Sequence, residues 1–374
     1  MRTALIILIG IHGIIHLLGF LKAFDLYEFN SISRPISTTS GIIWLLAFIL
    51  FVTTAISILL KSDYSWVSGL LAVIISQALI FNNWSDARFG TLLNIIILFV
   101  AIVSYSTYSF KNKVSRERTV MFENSTAISQ KTVTEKNISD LPPIVQKWLR
   151  NSGIIDKIPI SNVHLVQDLQ LKMTPDQKDW SPGIAEQYFT IKPPAFNWNI
   201  KTQMNSILDV VGRDKFENGN GEMTIRLFSL VSVADAKQNG KVNQATLQRY
   251  LAEIVWFPSA SLSPYIIWEP IDKNSAKATM SIGGTIGSGI FYFEDNGNFL
   301  KFTAMRFKDV KDKDPKLWTV SAIKTEERNG IKIPVELIAD WDLDNGKWNW
   351  LKLKIKAIDY NVEKMPVTNN VLRQ

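Results

Sequence analysis

Residues 289–307, GIFYFEDNGNFLKFTAMRF, contain two runs of alternating apolar and polar side chains, separated by Asp295-Asn296-Gly297. Such alternation places the apolar residues on one face of a strand, and Asn-Gly is typical of the tight turn of a β-hairpin. Two further Asn-Gly pairs, ending at Gly330 and Gly346, follow in EERNGIKIP and DLDNGKWNW. A series of hairpins predicts an antiparallel sheet with one buried and one solvated face.

Two helical segments interrupt this alternation. In DLPPIVQKWLRNSG, two prolines open a short helix and Gly153 ends it. NQATLQRYLAEIVWFP predicts a second helix from about Gln244 to Trp256, ended by Pro258. We expect this second helix to lie across the concave side of the sheet, where it covers the core or lines a ligand pocket.

The first 110 residues are far more apolar than the rest. Four runs are each near the roughly 20 residues that cross about 30 Å of hydrocarbon, namely Leu5–Phe24, Ile42–Leu60, Trp66–Phe81 and Thr91–Tyr108. We predict a four-helix transmembrane domain over residues 1–110, a polar linker over 111–140 and a β-rich soluble domain over 141–374. The fold class is therefore a multi-pass α-helical membrane domain followed by an α+β domain, dominated by an antiparallel sheet that curves around one or two helices.

Basic residues near the ends of the spans predict the orientation. Six of them are predicted on one side of the membrane: Arg2, Lys61, Lys111, Lys113, Arg116 and Arg118. Three are predicted on the other side: Lys22, Arg34 and Arg88. The positive-inside rule then places the N-terminus and the soluble domain in the cytoplasm.

Two of the three histidines, His12 and His16, share one helix face of the first span, in GIHGIIHLLGF at residues 10–20. Intramembrane ionisable residues are costly, so a proton- or ligand-sensing role is one interpretation. We prefer packing, in which neutral histidines bond to polar groups of other helices. The polar candidates in and beside the spans are His12, His16, Gln77, Asn94, Asp86 and Arg88. The last two belong to the loop NNWSDARFGT, where a short turn is preferred over a contact with a substrate or lipid headgroup.

The composition excludes several classes of function. The formal net charge is +7, but KNKVSRER at residues 111–118 is the one compact basic run. Because a nucleic-acid surface needs a basic face with aromatic residues or a reading helix, no nucleic acid is expected as a partner. We interpret the run as an anchor beside anionic lipid headgroups. The absence of cysteine excludes disulfides, thiolate metal sites and cysteine nucleophiles. No cofactor and no metal site are predicted.

The soluble half offers little catalytic machinery. His164 alternates with apolar neighbours in NVHLVQDLQL, which is typical of a strand residue, and we interpret the glycine-rich SIGGTIGSG as a strand with bulges. Glu186, Glu253 and Asp272 leave a hydrolase open if these carboxylates fold close together. We favour the alternative, a buried ion pair of Glu186 or Glu253 with Arg249 that fixes the helix against the sheet.

Four stretches resemble the signature blocks of a bacterial membrane-anchored family that is catalogued as a domain of unknown function. They are AEQYFTIKPPAFNW, GNGEMTIRLFSLVSVADA, LQRYLAEIVWFPSA and WEPIDKNSAKATM. The resemblance covers roughly residues 140–361, and RYLAEIVWFP at residues 249–258 is its most specific part. It implies a bacterial membrane-anchored protein, and together with the four apolar runs it leads us to expect a multi-pass protein of the bacterial cytoplasmic membrane. More loosely, a long sheet that cups helices is similar to the half-barrel of periplasmic lipoprotein carriers, which implies an apolar ligand such as a lipid acyl chain.

The leading hypothesis is a membrane-tethered module that binds a lipid or another hydrophobic ligand in a pocket of the curved sheet. Its expected partners are the lipid bilayer and that ligand. The alternatives are a hydrolase that uses acidic residues, and a membrane sensor or scaffold without catalysis. The candidate ligand-binding residues lie on the second helix and in neighbouring strands, and they are Glu186, Tyr188, Arg249, Tyr250, Glu253, Trp256, Trp268 and Asp272.

Overall fold

The structure, a computed structural model, describes residues 2–27, 35–126, 131–203 and 208–363. Arg34, which enters the count of basic residues, lies outside these ranges. The chain forms two compact units, Met1–Asn112 and Lys113–Gln374.

The first unit is helical. Its elements are α1 (Arg2–Ala23), α2 (Thr38–Leu59), α3 (Ser65–Asn82), the short α4 (Trp84–Ala87) and the start of α5 (Gly90–Glu123). Helices α1, α2, α3 and α5 are long and apolar enough to cross a membrane. The predicted helical N-terminal region is thus confirmed, and the turn expected in NNWSDARFGT contains one turn of helix.

Glycines allow α1 and α2 to pack closely. A Cβ atom on Gly19 would lie 2.2 Å from the Trp44 ring, and one on Gly41 would lie 2.3 Å from the Cβ of Ala23. Small residues of this kind let helix backbones approach each other, which is the main source of packing contact between helices in lipid. Trp44 fills the space that the missing side chain of Gly19 leaves.

The structure differs from the polar linker predicted over residues 111–140. Helix α5 continues to Glu123, and Val114, Arg118 and Met121 are buried within the second unit. Their spacing of four and three residues places them on one helix face. Farther along, Val133 and Ile138 belong to the core of the second unit. This stretch is polar in composition but has enough buried side chains at helical spacing to fold.

The second unit contains an antiparallel sheet of 13 strands within the described residues. The strands are β1 (Asn162–Leu171), β2 (Ser181–Ile191), β3 (Pro194–Gln203), β4 (Asp209–Glu217), β5 (Asn220–Leu227), β6 (Val231–Ala236), β7 (Ile266–Asp272), β8 (Ser275–Ile282), β9 (Thr285–Phe293), β10 (Phe299–Arg306), β11 (Lys316–Arg328), β12 (Ile331–Leu343) and β13 (Gly346–Tyr360). Their spatial order is β6-β5-β4-β3-β2-β1-β13-β12-β11-β10-β9-β8-β7. The helices of this unit are α6 (Glu135–Ile138), α7 (Pro143–Ser152) and α8 (Gly240–Glu253), and 3-10 turns follow at Ile254–Trp256 and Pro258–Leu262.

The sheet curves around α8 into a half-barrel. Helix α8 packs on β4 and β5 near one end of the sheet and on β8, β9 and β10 near the other. The turn at Asn218-Gly219 consequently meets the turn at Gly283-Gly284, where the Thr285 hydroxyl donates to the Gly219 carbonyl at 2.7 Å. The predicted fold class, an antiparallel sheet curved around helices, is confirmed.

The turn chemistry explains most of the hairpins. Gly297, Gly330 and Gly346 have positive φ, as the predicted turns require. Helix α7 ends at Gly153, also with positive φ, in agreement with prediction. SIGGTIGSG is a hairpin rather than one bulged strand, because Gly283 and Gly284 both adopt positive φ and reverse the chain between β8 and β9.

Replacing Gly219 by alanine is expected to destabilise the second unit more than the same change at Gly284. Both glycines have φ of +80°, so both variants incur the cost of an L-residue in the left-handed region, about 1–2 kcal/mol. A Cβ on Gly219 would in addition lie 2.5 Å from the Ile282 carbonyl oxygen, whereas one on Gly284 meets nothing within 4 Å. We expect an extra cost of about 1–3 kcal/mol for Gly219→Ala, measurable by urea unfolding of the full-length protein. Equal stabilities of the two variants would contradict the contact between the turns.

Candidate functional site

Strands β1 to β4 carry polar side chains on both faces of the sheet. Directly paired residues share a face, and the register aligns Gln187, Trp198 and Asp214 on one of them. We call this face, which α8 covers, the inner face. The opposite outer face carries Glu186 and Arg213.

A chain of hydrogen bonds crosses the inner face and ends on α8. The Trp198 indole donates to Gln167 at 3.0 Å, and the Gln167 amide donates to Gln187 at 3.4 Å. Gln187 in turn donates to the Glu253 carboxylate at 2.8 Å. Polar groups of β1, β2 and β3 are thereby connected to the C-terminal end of α8.

Arg249 supplies the positive charge at the α8 end of this series of hydrogen bonds. Its guanidinium donates to Glu253 at 2.9 Å and to Asp214 on β4 at 2.5 Å, and it lies 4.6 Å from the centre of the Trp198 ring. Burial alone would lower the pKa of Arg249, but the two carboxylates raise it, so the guanidinium stays charged. Burial raises the pKa of Glu253 despite the arginine beside it. The predicted ion pair of Arg249 thus forms with Glu253 and not with Glu186.

Next to this ion pair the inner face is lined by tryptophans. Trp318 and Trp341 have ring centres 6.3 Å apart, Trp341 is the register partner of Trp348, and the Trp348 and Trp350 ring centres are 6.5 Å apart. Trp350 and Trp198 pack against the same small apolar cluster. We call Trp198, Trp318, Trp341, Trp348 and Trp350 the tryptophan row. Three of its members, Trp198, Trp348 and Trp350, are only half-buried.

Arg306, near the end of β10, borders the tryptophan row. Its guanidinium lies 4.5 Å from the centre of the Trp318 ring and 5.6 Å from that of Trp341. Its Nε donates to the Ala245 carbonyl of α8 at 2.9 Å. The inner face thus combines aromatic surface with two arginines, a composition suited to an amphiphilic ligand.

The outer face carries a separate ion network that involves the end of α5. Arg118 donates to the Glu186 carboxylate at 2.6 Å and to Asn197 at 3.1 Å, and the other Glu186 oxygen contacts His164 at 3.0 Å. Burial alone would raise the pKa of Glu186, but the hydrogen bond with His164 and the charge of Arg118 lower it to about 2. Tyr188 lies between His164 and Arg118, with its ring centre 4.5 Å from the imidazole centre and 4.6 Å from the guanidinium carbon.

A second pair extends this network. Arg213 on β4 contacts Glu117 of α5 and, at 2.7 Å, Glu222 of β5. The Arg118 and Arg213 side chains are only 1% and 2% exposed. Removing one partner of a buried pair leaves an uncompensated charge, which is strongly destabilising. These contacts fix residues 113–123 of α5 on the outer face.

The remaining candidates have structural environments. The Tyr250 hydroxyl donates to the Thr190 carbonyl at 3.0 Å, and the Trp256 indole donates to the Pro334 carbonyl at 3.1 Å. Trp268 donates to the Ser261 carbonyl at 3.1 Å and lies beside Trp148. These three side chains therefore satisfy their polar groups within the core or at its margin.

The acidic cluster proposed for a hydrolase does not form. Glu186 lies on the outer face, Glu253 contacts the inner face, and Asp272 is exposed at the turn after β7, where it accepts from the Asn274 backbone. Since the sheet separates the first two, they cannot act on one bond as a pair. Within the described ranges there is also no group of three His, Cys, Asp or Glu residues that could hold a metal ion.

Sequence reasoning missed Arg306, Arg118 and most of the tryptophan row. Alternation in KWNWLK does place Trp348 and Trp350 on one face, and that signal was available. The proximity of Arg306 and Trp318 depends on the pairing of β10 with β11.

The family model DUF6920, a family of unknown function, matches residues 139–360. The chain belongs to this family. The matched DUF6920 region contains all 13 strands and α8, and the part of α5 that carries Arg118 precedes it. No curated protein matches the chain. Among solved structures, the chain is similar to a β-barrel-like protein of the domain of unknown function DUF1849 from Brucella abortus, with 12% identity, a TM-score of 0.21 and coverage of 54% of this chain and 99% of that one.

Outside the DUF6920 region, the intramembrane candidates form a hydrogen-bonded cluster. His12 Nε2 contacts Asn94 Oδ1 at 3.0 Å, His16 Nε2 contacts Ser76 Oγ at 2.9 Å, and the Asn94 amide donates to Gln77 at 3.0 Å. His16 Nδ1 donates to the His12 carbonyl at 2.9 Å, and in the neutral form of the ring Nε2 is then the acceptor. These contacts have the form of interhelical packing, as expected for the preferred interpretation.

Asp86 and Arg88 do not take part in the contacts of this cluster. Asp86 lies in α4, and Arg88 directly follows that helix, exposed and with its guanidinium 5.1 Å from the centre of the Phe89 ring. A role for either residue in headgroup or substrate binding stays a prediction.

The outer network predicts a specific loss of stability in acid. Because the folded-state pKa of Glu186 lies below its ordinary value of 4.5, its stabilising effect is present above that value and declines toward pH 2. Between about pH 6 and pH 3 we expect the wild type to lose about 2 kcal/mol more than Glu186→Gln. Urea unfolding of the full-length protein at both pH values measures this difference.

The matched control is Glu269→Gln, which removes a carboxylate that is more than half exposed. It should retain the acid dependence of the wild type. If Glu186→Gln shows the same dependence as well, then Glu186 is not the group that titrates.

Proposed function

We propose that the second unit binds a lipid or another hydrophobic ligand against the inner face of its curved sheet, and that the four apolar helices hold the protein in a bilayer. The tryptophan row is the observation that carries this proposal. A curved sheet of this kind is compatible with ligand binding.

Two of the half-buried tryptophans, Trp348 and Trp350, belong to a part of the inner face that α8 does not mainly cover. Helix α8 packs chiefly on β4, β5, β8, β9 and β10, whereas Trp348 and Trp350 belong to β13. Large aromatic side chains lose favourable burial when they stay partly in contact with water, and a bound alkyl chain would cover them. The same surface borders the charged group of Arg249, so that a ligand with both apolar and polar parts matches it better than a pure hydrocarbon.

Support for a bilayer comes from the surface of the first unit. Large apolar side chains on three of its long helices face outward, for example Ile7, Ile42 and Phe99, which are 56%, 58% and 52% exposed. A helix that is apolar all round is expected in a membrane. We further propose the cytoplasmic membrane, with the second unit on the cytoplasmic side, from the excess of basic residues on that side. Arg118 contributes less to this excess of positive charge than an exposed basic residue would, because it is buried in an ion pair with Glu186.

The alternatives gain less support. A hydrolase built on Glu186, Glu253 and Asp272 has no common site, because the sheet separates the first two carboxylates and Asp272 is exposed at a turn. A membrane sensor or scaffold without catalysis stays a prediction.

Ligand binding is testable by photo-crosslinking. The full-length protein in nanodiscs is exposed to a lipid with a photoactivatable group in its acyl chain, and the labelled peptides are mapped by mass spectrometry. Mapping separates a bound ligand from bilayer lipid around the helices. We expect labelled peptides from β11, β12 and β13. Labelling confined to α1, α2, α3 and the first part of α5 would contradict the proposal.

Variants of the tryptophan row test whether this surface binds the labelled lipid. Trp350→Ser should reduce labelling of these strands about five-fold or more, because burial of an aromatic side chain contributes on the order of 1–3 kcal/mol. Trp180→Ser is the matched control, because Trp180 is likewise half-buried but lies outside the tryptophan row, with Lys172 and Lys352 over its ring. Its labelling should equal that of the wild type.

The orientation is testable because the chain has no cysteine. Lys273→Cys places a thiol at an 83% exposed position of the second unit, and Ser85→Cys places one at an exposed position of the short helix α4. In intact cells, a membrane-impermeant maleimide should label Ser85→Cys and leave Lys273→Cys unlabelled until the cells are lysed. The reverse pattern would place the second unit outside the cytoplasm.

A further inference from the structure

Arg306 differs from three other arginines that are buried or half-buried in the second unit. Arg118, Arg213 and Arg249 each contact at least one carboxylate within 3 Å. In the part of the chain that the structure describes, no carboxylate lies within ion-pair distance of Arg306. Its Nε bonds to the Ala245 carbonyl, and its two Nη groups have no hydrogen-bond partner among the described residues.

The surroundings of Arg306 favour an added anion. Burial and the nearby charge of Arg249 lower the pKa of Arg306 to about 10, so the guanidinium is still charged at neutral pH. Asp214 and Glu253 both bond to Arg249, and burial raises the pKa of Glu253. Arg306 is half-buried, and a charge that loses part of its contact with water without gaining a bonded counter-charge incurs a cost. A bound anion would reduce that cost.

The unsatisfied polar groups of the tryptophan row are donors, whereas the unsatisfied atoms of the neighbouring Gln248 and Asn349 side chains, Oε1 and Oδ1, are acceptors. Among the described residues of the tryptophan row, the indole N–H groups of Trp318, Trp348 and Trp350 are buried without a hydrogen-bond partner. Each such group costs about 1–3 kcal/mol, and native structures contain few of them. Because an indole can donate but not accept, the partner that fits must supply oxygen acceptors.

We propose that Arg306 holds the headgroup of an anionic amphiphile, a carboxylate or a phosphate monoester, whose alkyl chain lies along the tryptophan row. This inference rests on the proposed function and specifies its ligand class. Two oxygens of the headgroup accept from the two Nη groups in the bidentate arrangement that guanidinium favours. The aromatic rings of Trp318 and Trp341, already in contact with Arg306, form the boundary between headgroup and chain.

The test is competition against the photo-crosslinking of β11, β12 and β13 in the full-length protein in nanodiscs. Dodecanoate, dodecyl phosphate and dodecanol share one chain and differ in headgroup, and inorganic phosphate supplies the anion without the chain. Empty nanodiscs give the partitioning of each probe, so that free concentrations are compared. We expect the two anionic amphiphiles to compete about ten-fold or more better than dodecanol, as for a hydrogen bond between charged groups. Inorganic phosphate should compete far more weakly than dodecyl phosphate.

Substitution assigns this preference to one residue. Arg306→Gln should abolish the difference between dodecanoate and dodecanol, and Arg306→Lys should retain part of it, because lysine keeps the charge but not the paired donors. Arg328→Gln is the matched control, since this arginine of the neighbouring strand is bonded to Glu326. It should leave the preference unchanged.

The outcomes separate this inference from the proposed function. If the three amphiphiles compete equally with the wild type while the strands are still labelled, the Arg306 inference fails and the proposed function stands. If inorganic phosphate competes as well as dodecyl phosphate, the site binds a free anion, and the proposal that its ligand is an amphiphile is overturned. If no label reaches these strands, the proposed function fails. The comparison of probes on the wild type decides the inference even if Arg306→Gln does not fold.

Discussion

The charge of Arg249 is the constraint around which the interior of the second unit is arranged. A guanidinium under a curved sheet must be compensated, and Asp214 from β4 and Glu253 from the same helix compensate it. Glu253 then requires a further donor, which is Gln187, and Gln187 connects to Gln167 and so to Trp198. This one cation thus accounts for polar residues on β1, β2 and β4 at positions where apolar side chains would otherwise be expected, and it contributes to holding α8 against the sheet.

On each face of the sheet an arginine is compensated by carboxylates, but the partners come from different parts of the chain. On the outer face, Arg118 comes from α5 and Glu186 from β2, so the ion pair joins distant parts of the chain. On the inner face, Arg249 and Glu253 are one helical turn apart, and the pair shapes a surface that faces the tryptophan row. Adjacent residues on β2, Glu186 and Gln187, serve the two networks separately because successive side chains of a strand point to opposite faces.

The fold was more predictable from the sequence than the site. Asn-Gly turns, alternation and apolar runs are local signals, and they identified the helical first unit, the hairpins and α7. The continuation of α5 was missed because KVSRERTVMFE is polar in composition, and only the spacing of Val114, Arg118 and Met121 indicates a buried face. The site depends on pairings between strands that are far apart in sequence. The bulge in the pairing of β12 with β13, between Ala339 and Asp340, also shifts the alternation by one residue. The neighbours of Arg306 could not be predicted because they depend on the pairing of β10 with β11 and of β11 with β12.

The contact between Gly219 and the Gly283-Gly284 turn has a mechanical consequence. The two ends of the sheet meet there through turns, whereas a closed barrel would join them by a ladder of backbone hydrogen bonds. Across this junction, α8 bonds to β5 through Asn243 and Gly221, and to β9 through Gln248 and Ser288. The width of the half-barrel at this junction is therefore held by α8 and by the contact between the two turns, without a continuous backbone ladder.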